Sequence, residues 1–180
     1  DITRVVLKVT PKEIVSVFEK KVIMAGNPFN LTIKDWINIQ IIIIIGLPLI
    51  TAAFGMYLGF DIRTVVFICI IEFCFGLLFP NMLLNRKIRE RQKVISNSLP
   101  DVLDLLTVSV EAGLGFDGAL AKVIDKMPGP IATEFEDVLN EMKVGKQKRD
   151  ALKDMAQRVN IPDLTTFIGS IIQADQLGVS

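Results

Sequence analysis

Histidine is absent from these 180 residues, and tryptophan and tyrosine occur once each. Without an imidazole there is no His-based triad, no His-ligated zinc and no histidine general base, so any catalysis would rest on carboxylates or lysines. The two cysteines, Cys69 and Cys74, fall on one apolar stretch where they cannot pair with each other and have no metal-ligand companions. They read as packing or lipid-facing residues. Charge of one sign is not in excess, since 20 basic residues meet 20 acidic ones. The basic clusters hold no interleaved aromatics of the kind that line a nucleic-acid groove, so no nucleic-acid partner is expected. A leader with a small-residue cleavage site is also missing, and the chain opens on Asp1 rather than Met, which reads as a piece of a longer polypeptide.

What the chain has in abundance is uninterrupted apolar sequence. Residues 37–60 and 62–84 form two such runs separated only by Asp61, and each has the length a helix needs to cross a bilayer. So short a connection predicts a helical hairpin whose outer ends lie on one side of the membrane. Arg4, Lys8, Lys12, Lys20, Lys21 and Lys34 precede the pair, and Arg86, Lys87, Arg89, Arg91 and Lys93 follow it, whereas the turn holds Asp61 and Arg63. Basic residues collect on the cytoplasmic side, so both ends are expected there, and these collars suit anionic headgroups. Trp36 and Tyr57 lie about 31 Å apart along an ideal helix, as interfacial anchors at opposite ends of the first span would.

Glu72 falls near the middle of the second run. An ionised acid there costs roughly 3 kcal/mol on an insertion scale, while each of the surrounding Val, Ile, Leu and Phe residues returns roughly 0.3–0.6, so insertion still wins. The acid reads either as a polar contact between packed helices or as part of a proton or ion path. Gly55 and Gly59 form a small-xxx-small pair at which another helix, the second span among the candidates, could approach closely.

The remaining chain is written as helices with explicit boundaries. Thr10-Pro11-Lys12-Glu13 is a capping box with proline at the first helical position. It opens a helix with Ile14, Val15, Phe18, Val22 and Ala25 on one face, ended by Gly26 and Asn27-Pro28. This helix either lies in the membrane interface or packs on the domain beyond the hairpin. Thr32 to Asp35 repeats the cap before the first span. Beyond the hairpin, Ser98-Leu99-Pro100-Asp101 reads as a new N-cap, with Leu99, Leu103, Leu106 and Val110 on one stripe and Gly113 as a left-handed stop. Four further amphipathic helices come after it. Their stripes are Leu120, Val123, Ile124 and Met127; Ile131, Phe135, Val138, Leu139 and Met142; Leu152, Met155 and Val159; and Leu164, Phe167, Ile168, Ile171 and Ile172. Short connections at Pro128-Gly129-Pro130, Gly145 and Ile161-Pro162 predict an antiparallel bundle. The expected organisation is all-α: an amphipathic segment over 1–35, transmembrane helices over 36–60 and 62–84, and a cytoplasmic helical bundle over 86–180, cut short at its end.

Two motifs mislead. Gly113-Leu114-Gly115-Phe116-Asp117-Gly118 matches the dinucleotide fingerprint, yet a helix rather than a strand precedes it and no βαβ alternation surrounds it. Gly145-Lys146 resembles the tail of a phosphate loop, but Asn140 replaces its first glycine and Gln147 its magnesium-binding hydroxyl.

The informative stretch is Leu99-Pro100-Asp101-Val102-Leu103-Asp104-Leu105-Leu106, with Glu111-Ala112-Gly113-Leu114 and Ala119-Leu120 after it and Pro80 and the basic collar before it. In this order of elements the chain resembles the bacterial type II secretion system F / type IV pilus platform family, in its tight-adherence branch. Gly145, Ala151-Leu152, Arg158 and the stretch from Asp175 to Gly178 fit that branch as well. The resemblance covers most of the chain. It departs at Gly115, where a small hydroxyl residue is usual, and relatives continue into further helix and another span. It implies a multi-pass inner-membrane platform without enzymatic activity or cofactor. Such a platform couples a cytoplasmic assembly ATPase to the insertion of pilin transmembrane helices, beside a second copy or a paralogous platform protein.

Candidate contact residues are Asp101, Asp104 and Glu111 on one face of the first bundle helix, and Lys146, Lys148 and Arg149 in a basic turn. Each also reads as an ordinary solvated charge, with Asp101 complementing a helix dipole. Gly113 serves backbone geometry. The rival readings are a channel or transporter subunit built on Glu72 and an unrelated membrane-anchored scaffold.

Overall fold

The computed structural model describes residues 20–26, 38–39 and 42–177. Among them every regular element is helical and there is no strand, so the chain is all-α. The expected caps at Thr10-Pro11 and Thr32 to Asp35, the face residues Ile14, Val15 and Phe18, and Trp36 lie outside the described residues. Contacts divide the chain into two compact units, Asp1–Ile88 and Arg89–Ser180.

In the first unit, residues 20–24 are helical and Val22 and Ala25 pack on Leu84 and Ile88 in a small core of their own. Gly26 ends the segment at φ +75°, as its position after the apolar face predicts. The first apolar run becomes a π-helical turn, Ile42–Gly46, that leads into α1, Leu47–Tyr57. Pro48 explains the widening: it brings no N–H and its ring crowds the carbonyl four residues back, so the turn before it cannot keep α spacing. The close of α1 corrects one expectation. Gly59 does not pack beside Gly55 but adopts φ +74°, donating to Met56 O at 3.2 Å while Phe60 N donates to Gly55 O at 3.0 Å. This is a Schellman stop, where a side chain would strain the left-handed backbone.

After Asp61 the chain runs into α2, Ile62–Glu111, a single helix of 50 residues and about 75 Å at 1.5 Å per residue. One sequence expectation fails on it: Ser98 to Asp101 is not an N-cap, because the helix continues through Pro100 as it does through Pro80. Packing overrides local propensity at Pro100: Ile95, Leu99, Val102 and Leu106 are buried on one stripe while the proline ring faces solvent. Ser98 Oγ, released from capping, donates to Ile95 O at 3.0 Å. The stripe then drifts as a straight helix requires, so Ser109 is buried and Val110 is exposed, against expectation.

In the second unit α2 ends at Gly113, φ +90°, with Gly113 N donating to Val110 O at 2.9 Å and Leu114 N to Ser109 O at 3.1 Å. The predicted stop is therefore a second Schellman motif. Four shorter helices follow: α3, Phe116–Lys126; α4, Pro130–Lys143; α5, Lys148–Val159; and α6, Pro162–Gln176. Each packs on the next, α3 on α4, α4 on α5 and α5 on α6. Leu120, Val123, Phe135, Val138, Leu152, Met155, Leu164 and Ile168 close one apolar core with the α2 stripe. These are the stripe residues the periodicity selects. Burying each large aliphatic side chain contributes on the order of 2 kcal/mol, which short helices cannot obtain alone.

Candidate functional site

Three constellations carry polar chemistry. The first is the outward face of the last turns of α2, where Asp101, Asp104 and Glu111 are exposed within about 80° of arc at 3.6 residues per turn. Val108, 61% exposed, lies among them. None of the three acids has an ion-pair partner among the described residues. The face exists because the opposite side of the helix is committed to the core through Val102 and Leu106.

The second is an ionic chain that ties α2, α4 and α5 together inside the second unit. Glu134 is 4% exposed and accepts from Arg91 Nη2 at 2.8 Å through Oε1 and from Arg158 Nε at 3.1 Å through Oε2. Arg158 Nη1 reaches on to Glu141 Oε1 at 3.1 Å, and Lys146 Nζ joins Glu141 Oε2 at 2.6 Å to Asp154. Burial disfavours the charge on Arg158, but the Glu134 hydrogen bond and the carboxylates of Glu134, Glu141 and Asp137 outweigh it and hold the guanidinium pKa above its usual range. Arg158 Nη2 is buried with no hydrogen-bond partner. Hydrogen bonds to Asp154 and Glu141 likewise raise the Lys146 ammonium. Asp137, on α4 beside this chain, is raised by partial burial first and by Glu134 second, with Arg158 pulling the other way.

This chain also shows what the basic turn does. Lys146 is held between two carboxylates, and Lys148 pairs with Asp175 at 2.8 Å with its ammonium 4.4 Å from the centre of the Phe116 ring. Arg149 makes a looser pair with its neighbour Asp150 at 3.6 Å. Lys146 and Lys148 are thus struts between elements of the unit. Among the described residues no ion pair joins the acids to the basic turn. Periodicity missed Glu134, Arg91 and Glu141, although one signal was present: Glu134 falls between Ile131 and Val138 on the apolar stripe of α4, where a solvated acid has no place.

The third constellation lies between α1 and α2 in the first unit. Contacts step down one element as they step up the other. A Cβ built at Gly55 would stand 2.9 Å from Val65 Cγ2, and one at Gly76 3.1 Å from Ile44 Cγ1. Between these two close approaches, Thr51 Oγ1 donates to Glu72 Oε1 at 2.8 Å, and the Cys69 thiol lies 3.6 Å from Pro48 O. Glu72 Oε2 is buried without a partner. Cys74 is exposed. The hollow beside these contacts is lined by Ile50, Phe54, Phe60, Val65 and Ile68 and offers no set of reacting groups.

Among the described residues no three His, Cys, Asp or Glu side chains gather as metal ligands. No protein-family model, no curated protein and no solved structure matches the chain.

Proposed function

We propose that the chain is a platform protein of a bacterial tight-adherence, type IV pilus or type II secretion machine, seated in the inner membrane with its main domain in the cytoplasm. In this reading α1 and the first half of α2 form a transmembrane hairpin, and the helices from Arg89 onward form an antiparallel bundle in the cytoplasm. A cytoplasmic assembly ATPase docks on the bundle, and pilin transmembrane helices meet the hairpin beside a second platform copy or paralogue. The observation that carries the reading is the dual character of α2. Its first turns expose Val66, Phe67, Ile70, Phe75 and Leu78 while its last turns supply Ile95, Leu99, Val102 and Leu106 to a water-compatible core. One helix thereby serves lipid at one end and a soluble module at the other, and it is the one described helix long and apolar enough to cross a membrane.

The exposed acids favour a basic docking partner. Replacing Asp101, Asp104 and Glu111 together by Ala is expected to abolish ATPase capture by the solubilised protein, and unchanged capture removes this face from the contact. Topology is tested separately in a background lacking Cys69 and Cys74. A cysteine at Val144, 85% exposed, should react with a membrane-impermeant maleimide only after the inner membrane is opened. One at Asp61 should react in intact spheroplasts. The reverse pattern overturns the proposal.

The channel reading rests on Glu72. The hydrogen bond from Thr51 supports a packing role for that carboxyl between α1 and α2. Proteoliposomes are therefore expected to show no proton or ion flux, and a flux abolished by Glu72→Gln would reverse the order of the two readings.

A further inference from the structure

The short helix over 20–24 has no role in the platform reading by itself. Its Val22 and Ala25 are buried on Leu84 and Ile88, immediately past the exposed apolar stretch of α2 that closes with Met82, 69% exposed. The packing therefore fixes this helix at the level where α2 changes from apolar to basic. Lys20 is exposed, Lys21 is half-buried, and Ile23 stands 44% exposed on the side away from the packed face. Neither lysine has an ion-pair partner among the described residues. Arg86 and Lys87 follow Leu84 at this same level of α2, where the exposed apolar stretch gives way to basic sequence.

We infer that this patch is a docking site for the headgroup of an anionic phospholipid. The inference rests on the membrane-spanning part of the proposed function. A cationic rim beside an outward apolar residue, at the end of a lipid-exposed helix stretch, matches the layered chemistry of a phosphate group above its acyl chains. Charge complementarity selects the occupant: a phosphatidylglycerol-type headgroup brings a net negative charge to Lys20 and Lys21, while a zwitterionic headgroup brings none. Val22 and Ala25 fix the backbone that carries the two lysines, so only their side chains need ordering on binding.

The test uses the full chain in a neutral detergent, titrated by native mass spectrometry with phosphatidylglycerol, with phosphatidylcholine and with inorganic phosphate. Phosphatidylglycerol is expected to bind at least about tenfold tighter than phosphatidylcholine, and inorganic phosphate not at all. The double variant Lys20→Gln with Lys21→Gln should lose about tenfold of that preference with unchanged helicity, and Lys20→Arg with Lys21→Arg should retain it. Equal binding of the two lipids, or a double Gln variant that keeps the preference, overturns the inference. Tight binding of inorganic phosphate would assign the patch to a soluble anion and overturn it too. A chain that stays soluble and monomeric without detergent would instead overturn the membrane reading, so the two failures are distinguishable.

Discussion

Removing the Glu134 carboxylate would leave two guanidinium groups converging on a buried point, because Arg91 and Arg158 both aim donors at it. Breaking such a pair costs far more than the pair itself contributes, since two largely buried positive charges lose the carboxylate they share. Glu134→Ala is accordingly expected to destabilise the second unit by about 3–5 kcal/mol, read as a lowered denaturation midpoint. Asp137 gives the opposite result. An acid that holds its proton more tightly folded than unfolded favours the fold at low pH, and that contribution is lost as pH rises from the ordinary aspartate range, about 4, through the raised folded value. At neutral pH the charged Asp137 therefore opposes folding. Asp137→Asn should be more stable than the parent at pH 7, and melting curves taken at falling pH should show its advantage fading toward about pH 4. These side chains were hard to read from sequence for one reason: the partners of Glu134 lie 43 and 24 residues away. Periodicity reports which face is apolar and says nothing about which distant charge will be folded onto it.

Helix ends were the most legible feature. Gly113 and Gly145 supply backbone that other residues strain to adopt, and both terminate helices where the apolar stripes run out. Gly113→Ala is expected to cost about 1–2 kcal/mol, measured as a shift in denaturation midpoint, with nothing nearby for the added methyl to contact. Helix starts were less reliable, as Ser98-Leu99-Pro100-Asp101 demonstrates. The local pattern is that of a cap, but Leu99 and Val102 on either side are locked into the core and the helix passes straight through. Pro100 thus sits in a helix interior at a standing loss of one backbone hydrogen bond. Pro100→Ala should stabilise the chain by about 1–3 kcal/mol in the same assay, and destabilisation would mean that α2 breaks there after all. The close approaches at Gly55 and Gly76 divide in the same way. The small-xxx-small spacing pointed at Gly55 but paired it with Gly59, whereas Gly76, packed on Ile43 and Ile44, belongs to no such motif.

For the whole molecule, the two kinds of charge in the second unit respond differently to ions in solution. Asp101, Asp104 and Glu111 stand in water, where the range of electrostatic attraction shrinks to about 3 Å at 1 M salt. The Arg91–Glu134–Arg158 group is in direct contact and shielded by protein, so dissolved ions hardly reach it. Under the proposed function, a captured ATPase should therefore elute as sodium chloride is raised to about 1 M, while the circular dichroism melting temperature of the chain stays within a few degrees. Because the ionic chain holds α2, α4 and α5 in register whatever the electrolyte, a brine wash would strip whatever is bound through the exposed acids and leave the unit that carries them intact, ready to be reloaded after dialysis.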